Sequence, residues 1–137
     1  MPEPTPKDAF LASLERCRSS PGFLSDFYDR FLASDPAIAH KFRFTDMRRQ
    51  VKMLDDSLSA CADAVDGSRE GLAHLAEIAK SHDRFHHDVR PEWYALWLEA
   101  LIETAAKADP DWSDEVEAVW RDLLSHVIHR MAEKYDG

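Results

Sequence analysis

The sequence predicts a single domain that is all α-helix, with six or seven helices. Apolar residues recur at intervals of three and four through most of the chain, which is the periodicity of helices with one buried face. Glycine is scarce, with four among 137 residues, and most glycines and prolines stand where a helix should begin or end. With 45% apolar residues, such a chain can bury a core without metal ions or disulfide bonds. Residues 1–6 are expected to form a loose N-terminal segment.

Capping residues predict the helix boundaries in the first part of the chain. A first helix is expected at about residues 7–18. Ser20 as N-cap and Pro21 at the first helical position then begin a second helix, because these residue types favour those positions. This second helix ends before Pro36, which begins a short third helix.

The remaining helices are predicted in the same way. The third helix should end near Phe42, and Thr45 or Asp46 should cap a long fourth helix that ends at Val65, before Gly67. Further helices are expected at about residues 69–87, 91–107 and 114–134, the last of them capped by Ser113.

The composition limits the partners and the location of the protein. A net charge of −9 disfavours nucleic acid and anionic membranes as partners, since both attract basic proteins. Charged stretches such as "MRRQVK" are predicted to be solvated helix faces. Cys17 and Cys61 form no metal-binding motif and favour a reducing compartment. The sequence shows no signal-peptide core and no membrane span of ~20 apolar residues, which favours the cytoplasm.

Three predicted helices each carry one polar side chain in line with their apolar stripe. Tyr28 stands among the Phe and Leu residues of "FLSDFYDRFL", Gln50 is four residues before Leu54, and His82 is four residues after Ile78. Each has an ordinary explanation when it is considered alone. The tyrosine hydroxyl can reach water, the glutamine can be solvated in the first turn of its helix, and the histidine can form its hydrogen bonds within the core. Together they predict a pocket shared by three helices.

The spacing of the histidines leaves a different metal site open. His82 and His86 are one helical turn apart, and His126 and His129 are similarly placed in the last helix. If the two helices were neighbours, these four side chains could bind zinc between them.

Four stretches of the sequence carry a resemblance to a known family. "FYDRFLASDPAIAHKF" and "RRQVKML" are followed by "LAEIAKSHDR" and "VRPEWYALWLEAL". Together they resemble a single-domain bacterial-type globin, especially the haem domain of flavohaemoglobins, over about residues 10–135. As in that family, Phe42 stands fourteen residues after Tyr28, and a glutamine, Gln50, precedes a leucine by four residues. The chain is two residues shorter than the family pattern between Phe42 and Gln50, and two residues longer between His82 and Pro91.

The resemblance implies a globin fold around haem b. It implies that His82 binds the iron, because His86 and His87 have polar residues four positions before them. It assigns the cofactor contacts to Phe42, Leu54, Ile78 and Tyr94, with Tyr94 and Glu133 in the positions of the tyrosine and glutamate that support the iron-binding histidine in flavohaemoglobins. The apolar stripe of the last helix turns away from Glu133, so the tyrosine is the better match.

The resemblance also implies a function. Dioxygen gains negative charge when it binds to haem, and Tyr28 and Gln50 would be the catalytic pair that donates hydrogen bonds to it. Dioxygen, nitric oxide and carbon monoxide are therefore the expected ligands. The pair resembles that of globins which convert nitric oxide to nitrate, a reaction that would need a separate electron-donor reductase, because the sequence contains no flavin or nicotinamide domain. Oxygen storage, gas sensing without turnover, and a haem-free protein-binding module are the alternatives.

Overall fold

The computed structural model describes residues 5–65, 67–82 and 89–134, and within these ranges it contains seven α-helices and no strand. The all-α prediction is confirmed. In chain order the helices are α1 (Pro6–Arg18), α2 (Phe23–Ser34), α3 (Pro36–Lys41), α4 (Met47–Val65), α5 (Arg69–His82), α6 (Pro91–Ala108) and α7 (Asp114–Glu133).

The predicted caps of α4 and α7 are confirmed, and α3 begins at Pro36 as predicted. The Asp35 carboxylate accepts a hydrogen bond from the backbone at the start of α3, and Ser113 does the same for α7. For α4 the capping side chain is Asp46, whose Oδ1 accepts hydrogen bonds from the backbone N–H groups of Arg48 and Arg49 at 3.1 and 3.4 Å. Thr45, the other candidate, is therefore not the cap.

The predicted start of α2 is wrong. The Ser20 backbone N–H donates to the Cys17 carbonyl at 2.9 Å, so Ser20 belongs to the turn that ends α1. The chain then reverses at Gly22, whose φ of +76° lies in the left-handed region that favours glycine, and α2 begins at Phe23. Pro21 lies in the turn between the two helices.

The fifth helix is described only in part. It extends from Arg69 to His82, and residues 83–88 lie outside the described residues, together with His86 and His87. Its first turns lie very close to α4, because a Cβ on Gly71 would come within 2.5 Å of the Ala64 backbone nitrogen. Glycine at this position permits the close approach of the two helices.

The main core lies where α1, α2, α6 and α7 meet. Its largest fully buried side chains include Trp120, Phe10, Phe27, Leu101 and Leu124. The Phe10 and Trp120 ring centroids are 4.7 Å apart, which joins α1 to α7. The inward side chains of α3, α4 and α5 that belong to the predicted pocket are only half-buried.

Two further sequence predictions bear on the fold. Cys17 and Cys61 are both buried and are not joined in a disulfide. Within the described ranges, none of the helices combines the length and the apolar character needed to cross a membrane.

Candidate functional site

One side of the candidate site is formed by aromatic side chains of α2 and the end of α3. Tyr28 is 4% exposed, and its ring centroid lies 6.1 Å from that of Phe42. Phe31 contacts Phe42 from the next turn of α2, with 6.2 Å between ring centroids. The apolar stripe of α2 therefore buries Tyr28 as the sequence predicts, and it places the phenol beside Phe42.

Tyr28 and Gln50 are brought together from two different helices. Burial raises the pKa of Tyr28 to about 12, and the interaction of the phenol with the nearby Gln50 amide offsets part of that rise. The phenol therefore keeps its proton at neutral pH and acts as a hydrogen-bond donor. Gln50 lies in the first turn of α4 and is half-buried, so its amide is available to a second partner as well as to Tyr28.

His82 is the last residue of α5, and its orientation is set by backbone and side-chain contacts. Nδ1 lies 2.8 Å from the backbone carbonyl oxygen of Ile78 and 3.0 Å from the Ser81 hydroxyl, which itself donates to that carbonyl at 2.9 Å. A carbonyl oxygen only accepts, so the proton of the neutral imidazole stands on Nδ1. Nε2 then carries the lone pair, which is the form of histidine that binds a metal ion.

Three of the predicted cofactor contacts are apolar side chains. Phe42, Leu54 and Ile78 are half-buried and pack against the core from α3, α4 and α5 respectively. A cleft of about 310 Å³ opens between α4 and α5, and it includes Ile78 and Ser81 in its lining. Ser81, whose hydroxyl contacts His82, therefore stands beside this cleft. The cleft is lined mainly by polar side chains of α4 and α5, and apart from Ile78 none of the predicted site residues lies in its lining.

The chemistry of these groups fits a planar, mainly apolar cofactor with a central metal ion. His82 offers one neutral nitrogen ligand, while Tyr28 and Gln50 offer hydrogen-bond donors from other helices. Apolar side chains would keep water from such a metal ion, and those donors would be available to a ligand bound to it.

Tyr94 lies on α6 and is 7% exposed. Burial raises the pKa of its phenol to about 12, so this phenol also stays protonated at neutral pH. Its contact with the cofactor and with His82 stays a prediction.

The histidines and glutamate of α7 face solvent. Glu133 is exposed, and its Oε1 lies 3.0 Å from His129 Nε2 on the same helix. This agrees with the helical stripe, which turns Glu133 away from the interior. His126 is also exposed, and within the described residues no three His, Cys, Asp or Glu side chains are grouped to hold a metal ion. His86, which the zinc alternative pairs with His82, lies outside the described residues.

Sequence reasoning missed Ser81. Its hydroxyl bridges His82 Nδ1 and the Ile78 carbonyl, so it takes part in orienting the imidazole. The signal was a serine directly before the candidate histidine, which is visible in "AKSHDR" but becomes meaningful only once the direction of Nδ1 is known.

Comparison with known proteins gives a consistent result. A family model described as Globin matches residues 25–131. Among solved structures, the chain is similar to a protein from Pseudomonas aeruginosa PAO1 that is described as structurally highly homologous to a human haemoglobin. The two are 35% identical with a TM-score of 0.92, and the match covers 97% of this chain and 100% of the other. No curated protein sequence matches the chain.

Proposed function

Because this chain belongs to the globin family, whose members bind haem, we propose that it holds haem b and that His82 would bind the iron. The observation that carries the proposal is the 2.8 Å contact between His82 Nδ1 and the Ile78 carbonyl. That hydrogen bond holds the imidazole in the tautomer whose Nε2 can bind iron, and it limits rotation of the ring.

The haem would supply a ferrous iron that binds diatomic gases. Phe42, Leu54 and Ile78 would contact the porphyrin and exclude water, which slows oxidation of the iron. Tyr94 would support the histidine side of the haem from α6. These assignments follow the match of the residues to the globin pattern, and the half-buried or buried environment of each side chain supports them.

Tyr28 and Gln50 would set the ligand preference. A protonated phenol and an amide donate hydrogen bonds to a ligand that gains negative charge, so they stabilise dioxygen more than carbon monoxide. We therefore infer reversible binding of dioxygen, carbon monoxide and nitric oxide. The protein would work in the cytoplasm, where reduced haem can be maintained and where its two buried cysteines stay reduced.

The same donor pair supports a finer proposal, the conversion of nitric oxide to nitrate. A ferrous haem would supply the one electron with which nitric oxide and dioxygen combine to nitrate. A separate reductase would restore the ferrous state. The alternative is an oxygen-storage or gas-sensing globin without turnover, and the rate of oxygen release separates the two, since very slow release is unsuited to delivery.

Absorption spectroscopy tests the haem proposal. The purified protein should show a strong Soret band that shifts to a sharp carbonyl form after reduction with dithionite and addition of carbon monoxide. His82→Ala should abolish or strongly alter this spectrum, and His126→Ala, an exposed histidine on α7, is the matched control that should leave it unchanged. Absence of haem after reconstitution of the unaltered protein would refute the proposal.

Rapid mixing tests the finer proposal. The air-equilibrated ferrous protein, mixed with nitric oxide, should give nitrate and ferric iron in equal amounts. Tyr28→Phe should slow the conversion, whereas Tyr94→Phe removes a phenol from a different helix and should have a smaller effect. Slow or absent conversion in the unaltered protein would favour storage or sensing.

A further inference from the structure

A basic surface lies at the corner between α3 and α4, although the protein is acidic overall. Residues 40–52 contain five Lys or Arg residues and one acidic residue. The rest of the chain therefore has twelve of the seventeen basic residues against twenty-five of the twenty-six acidic ones. We use the name basic corner for Phe44 and the five exposed Lys and Arg side chains of this segment, which are Lys41, Arg43, Arg48, Arg49 and Lys52.

The positive charges of the basic corner are not neutralised by neighbouring carboxylates. Elsewhere Arg16, Arg18 and Arg121 form close ion pairs with acidic side chains. None of the five cationic side chains of the basic corner forms such a pair with any carboxylate in the described ranges. The one acidic residue of the segment, Asp46, is engaged with the first backbone N–H groups of α4. The charges are therefore available to a partner.

An exposed aromatic side chain stands among these charges. Phe44 is 89% exposed, the highest value for any large apolar side chain in the described residues. The Arg43 guanidinium lies 4.8 Å from its ring centroid. Aromatic residues and arginine are enriched at protein interfaces, where an aromatic anchor commonly carries much of the binding energy. The combination fits a protein partner with an acidic face.

The basic corner borders the candidate haem site. Phe42 stands between Lys41 and Arg43 in the chain, and its ring contacts Tyr28. Gln50 directly follows Arg49, and it turns inward while Arg49 is exposed. A protein bound to the basic corner would therefore lie close to the residues that surround the cofactor, which is where an electron donor must approach.

We propose that the basic corner is the docking surface for a small one-electron carrier protein with an acidic face. The inference rests on the proposed function, since it assumes a haem iron that must be reduced again. One electron passes from the reduced carrier to the ferric haem, which becomes ferrous while the carrier is oxidised by one electron, and no covalent bond forms or breaks.

Charge distribution favours a small acidic protein over a membrane or a nucleic acid. Electrostatic forces extend about 8–10 Å at physiological salt, so a small acidic face touches mainly the basic corner. A bilayer or a duplex is an extended polyanion, and it would also approach the strongly acidic remainder of the surface.

Calorimetric titration with oxidised flavodoxin, an acidic flavin carrier, tests the docking surface directly. At low ionic strength the triple variant Arg48→Glu, Arg49→Glu, Lys52→Glu should bind at least about tenfold more weakly than the unaltered haem-loaded protein. The matched control reverses three exposed charges elsewhere, with Arg69→Glu, Lys107→Glu and Arg130→Glu, and should bind within about twofold. Phe44→Ala, which changes no charge, should weaken binding about fivefold or more.

The same proteins are then compared in reduction. The rate of haem reduction by reduced flavodoxin should fall in the triple variant and at high salt, while reduction by dithionite and the carbonyl spectrum stay unchanged. A normal dithionite reaction shows that the haem site is intact, so failure of docking is distinguished from failure of the proposed function.

Three results would overturn the proposal. One is no binding of flavodoxin to the unaltered protein at low ionic strength. A second is equal affinity of the triple variant and the control. A third is a triple variant that binds flavodoxin as tightly as the unaltered protein but no longer binds vesicles of equal parts phosphatidylglycerol and phosphatidylcholine. That result would assign the basic corner to a membrane surface.

Discussion

Polar side chains are buried and hydrogen-bonded differently in two regions of the molecule. Where α1, α6 and α7 meet, the Asp109 side chain is fully buried and its carboxylate accepts hydrogen bonds from Ser13 at 2.6 Å and from Arg16 at 2.6 and 3.0 Å. The Trp120 Nε1–H donates to the Ser13 oxygen at 2.9 Å, which completes the network. We use the name structural network for Ser13, Arg16, Asp109 and Trp120.

At the candidate site, by contrast, the polar groups lie at the edge of the core, although Tyr28 and Gln50 interact with each other. Gln50 and His82 are half-buried, and they stand on helices whose apolar neighbours are also half-buried. A satisfied buried network contributes to the free energy of folding, whereas half-buried polar groups beside apolar side chains are accessible to a bound ligand. The comparison predicts that changes in the structural network affect stability, and changes at the site affect ligand binding.

The largest expected effect is from Asp109→Ala. It leaves the Arg16 charge without its partner and removes the acceptor of Ser13, so we expect the free energy of unfolding to fall by about 3 kcal/mol. Urea denaturation measures this, and the haem spectrum of the folded protein should be unchanged. Asp111→Ala is the matched control, because its side chain is 75% exposed and lies 3.8 Å from Arg16. For this control we expect the free energy of unfolding to fall by less than about 0.5 kcal/mol. Equal losses in the two variants would contradict the distinction between the buried and the exposed carboxylate.

The structural network should also make stability depend on pH. Burial acts to raise the pKa of Asp109, but hydrogen bonds from Arg16, Ser13 and the Asp111 backbone outweigh it and lower the pKa. In the unfolded chain the pKa of an aspartate is about 3.9. Its contribution to stability is therefore complete above that value and is lost as pH falls towards the lower folded pKa.

Urea denaturation between about pH 6 and pH 3 measures this loss. Asp109→Asn should remove the corresponding part of the acid sensitivity, while Asp111→Asn should retain it. Identical pH profiles for Asp109→Asn and the unaltered protein would show that other carboxylates account for acid unfolding.

The next largest effect on stability is expected from Gly71→Ala, at the contact between α5 and α4. Alanine in place of glycine normally stabilises a helix by about 0.5–1 kcal/mol. Here the added Cβ would meet the Ala64 backbone nitrogen at 2.5 Å, so we expect a destabilisation of about 1–3 kcal/mol instead. Thermal unfolding shows directly whether the variant is less or more stable than the unaltered protein. Since α4 and α5 carry Gln50 and His82, the carbonyl spectrum should shift as well, and a stabilised variant would refute the close contact.

The smallest effect on stability should come from Tyr28→Phe. The lost hydroxyl leaves half-buried Gln50 able to bond to water, so the free energy of unfolding should change by no more than about 1 kcal/mol. Ser13→Ala also removes one hydroxyl, but it leaves the buried Trp120 N–H without its acceptor and should cost about 2 kcal/mol. Oxygen release should accelerate in Tyr28→Phe alone. A larger loss of unfolding free energy in Tyr28→Phe than in Ser13→Ala, measured by urea denaturation, would contradict the comparison of the two regions.

Several features of the site were predictable from local sequence. The stripe of α2 that buries Tyr28 is visible as helical periodicity, and the position of His82 four residues after Ile78 is the spacing at which its Nδ1 reaches the Ile78 carbonyl. The direction of the imidazole and the part taken by Ser81 were not predictable, because they depend on side-chain rotation about a fixed helix. Likewise, "MRRQVK" was predicted to be a solvated helix face, and its three basic side chains are exposed. Their nearness to Phe44 and to the site emerges only from the turn between α3 and α4.

The sequence by itself determined the all-helical class, the ends of most helices and the buried position of Tyr28. These depend on periodicity and on hydrogen bonds between residues at most four positions apart, which the local sequence specifies. Only the tertiary structure decided that Asp109, in the polar loop "ADPDWSD", is buried against Ser13 and Arg16 near the other end of the chain. Such a contact exists because helix packing removes those side chains from water together, and no spacing within the loop records it.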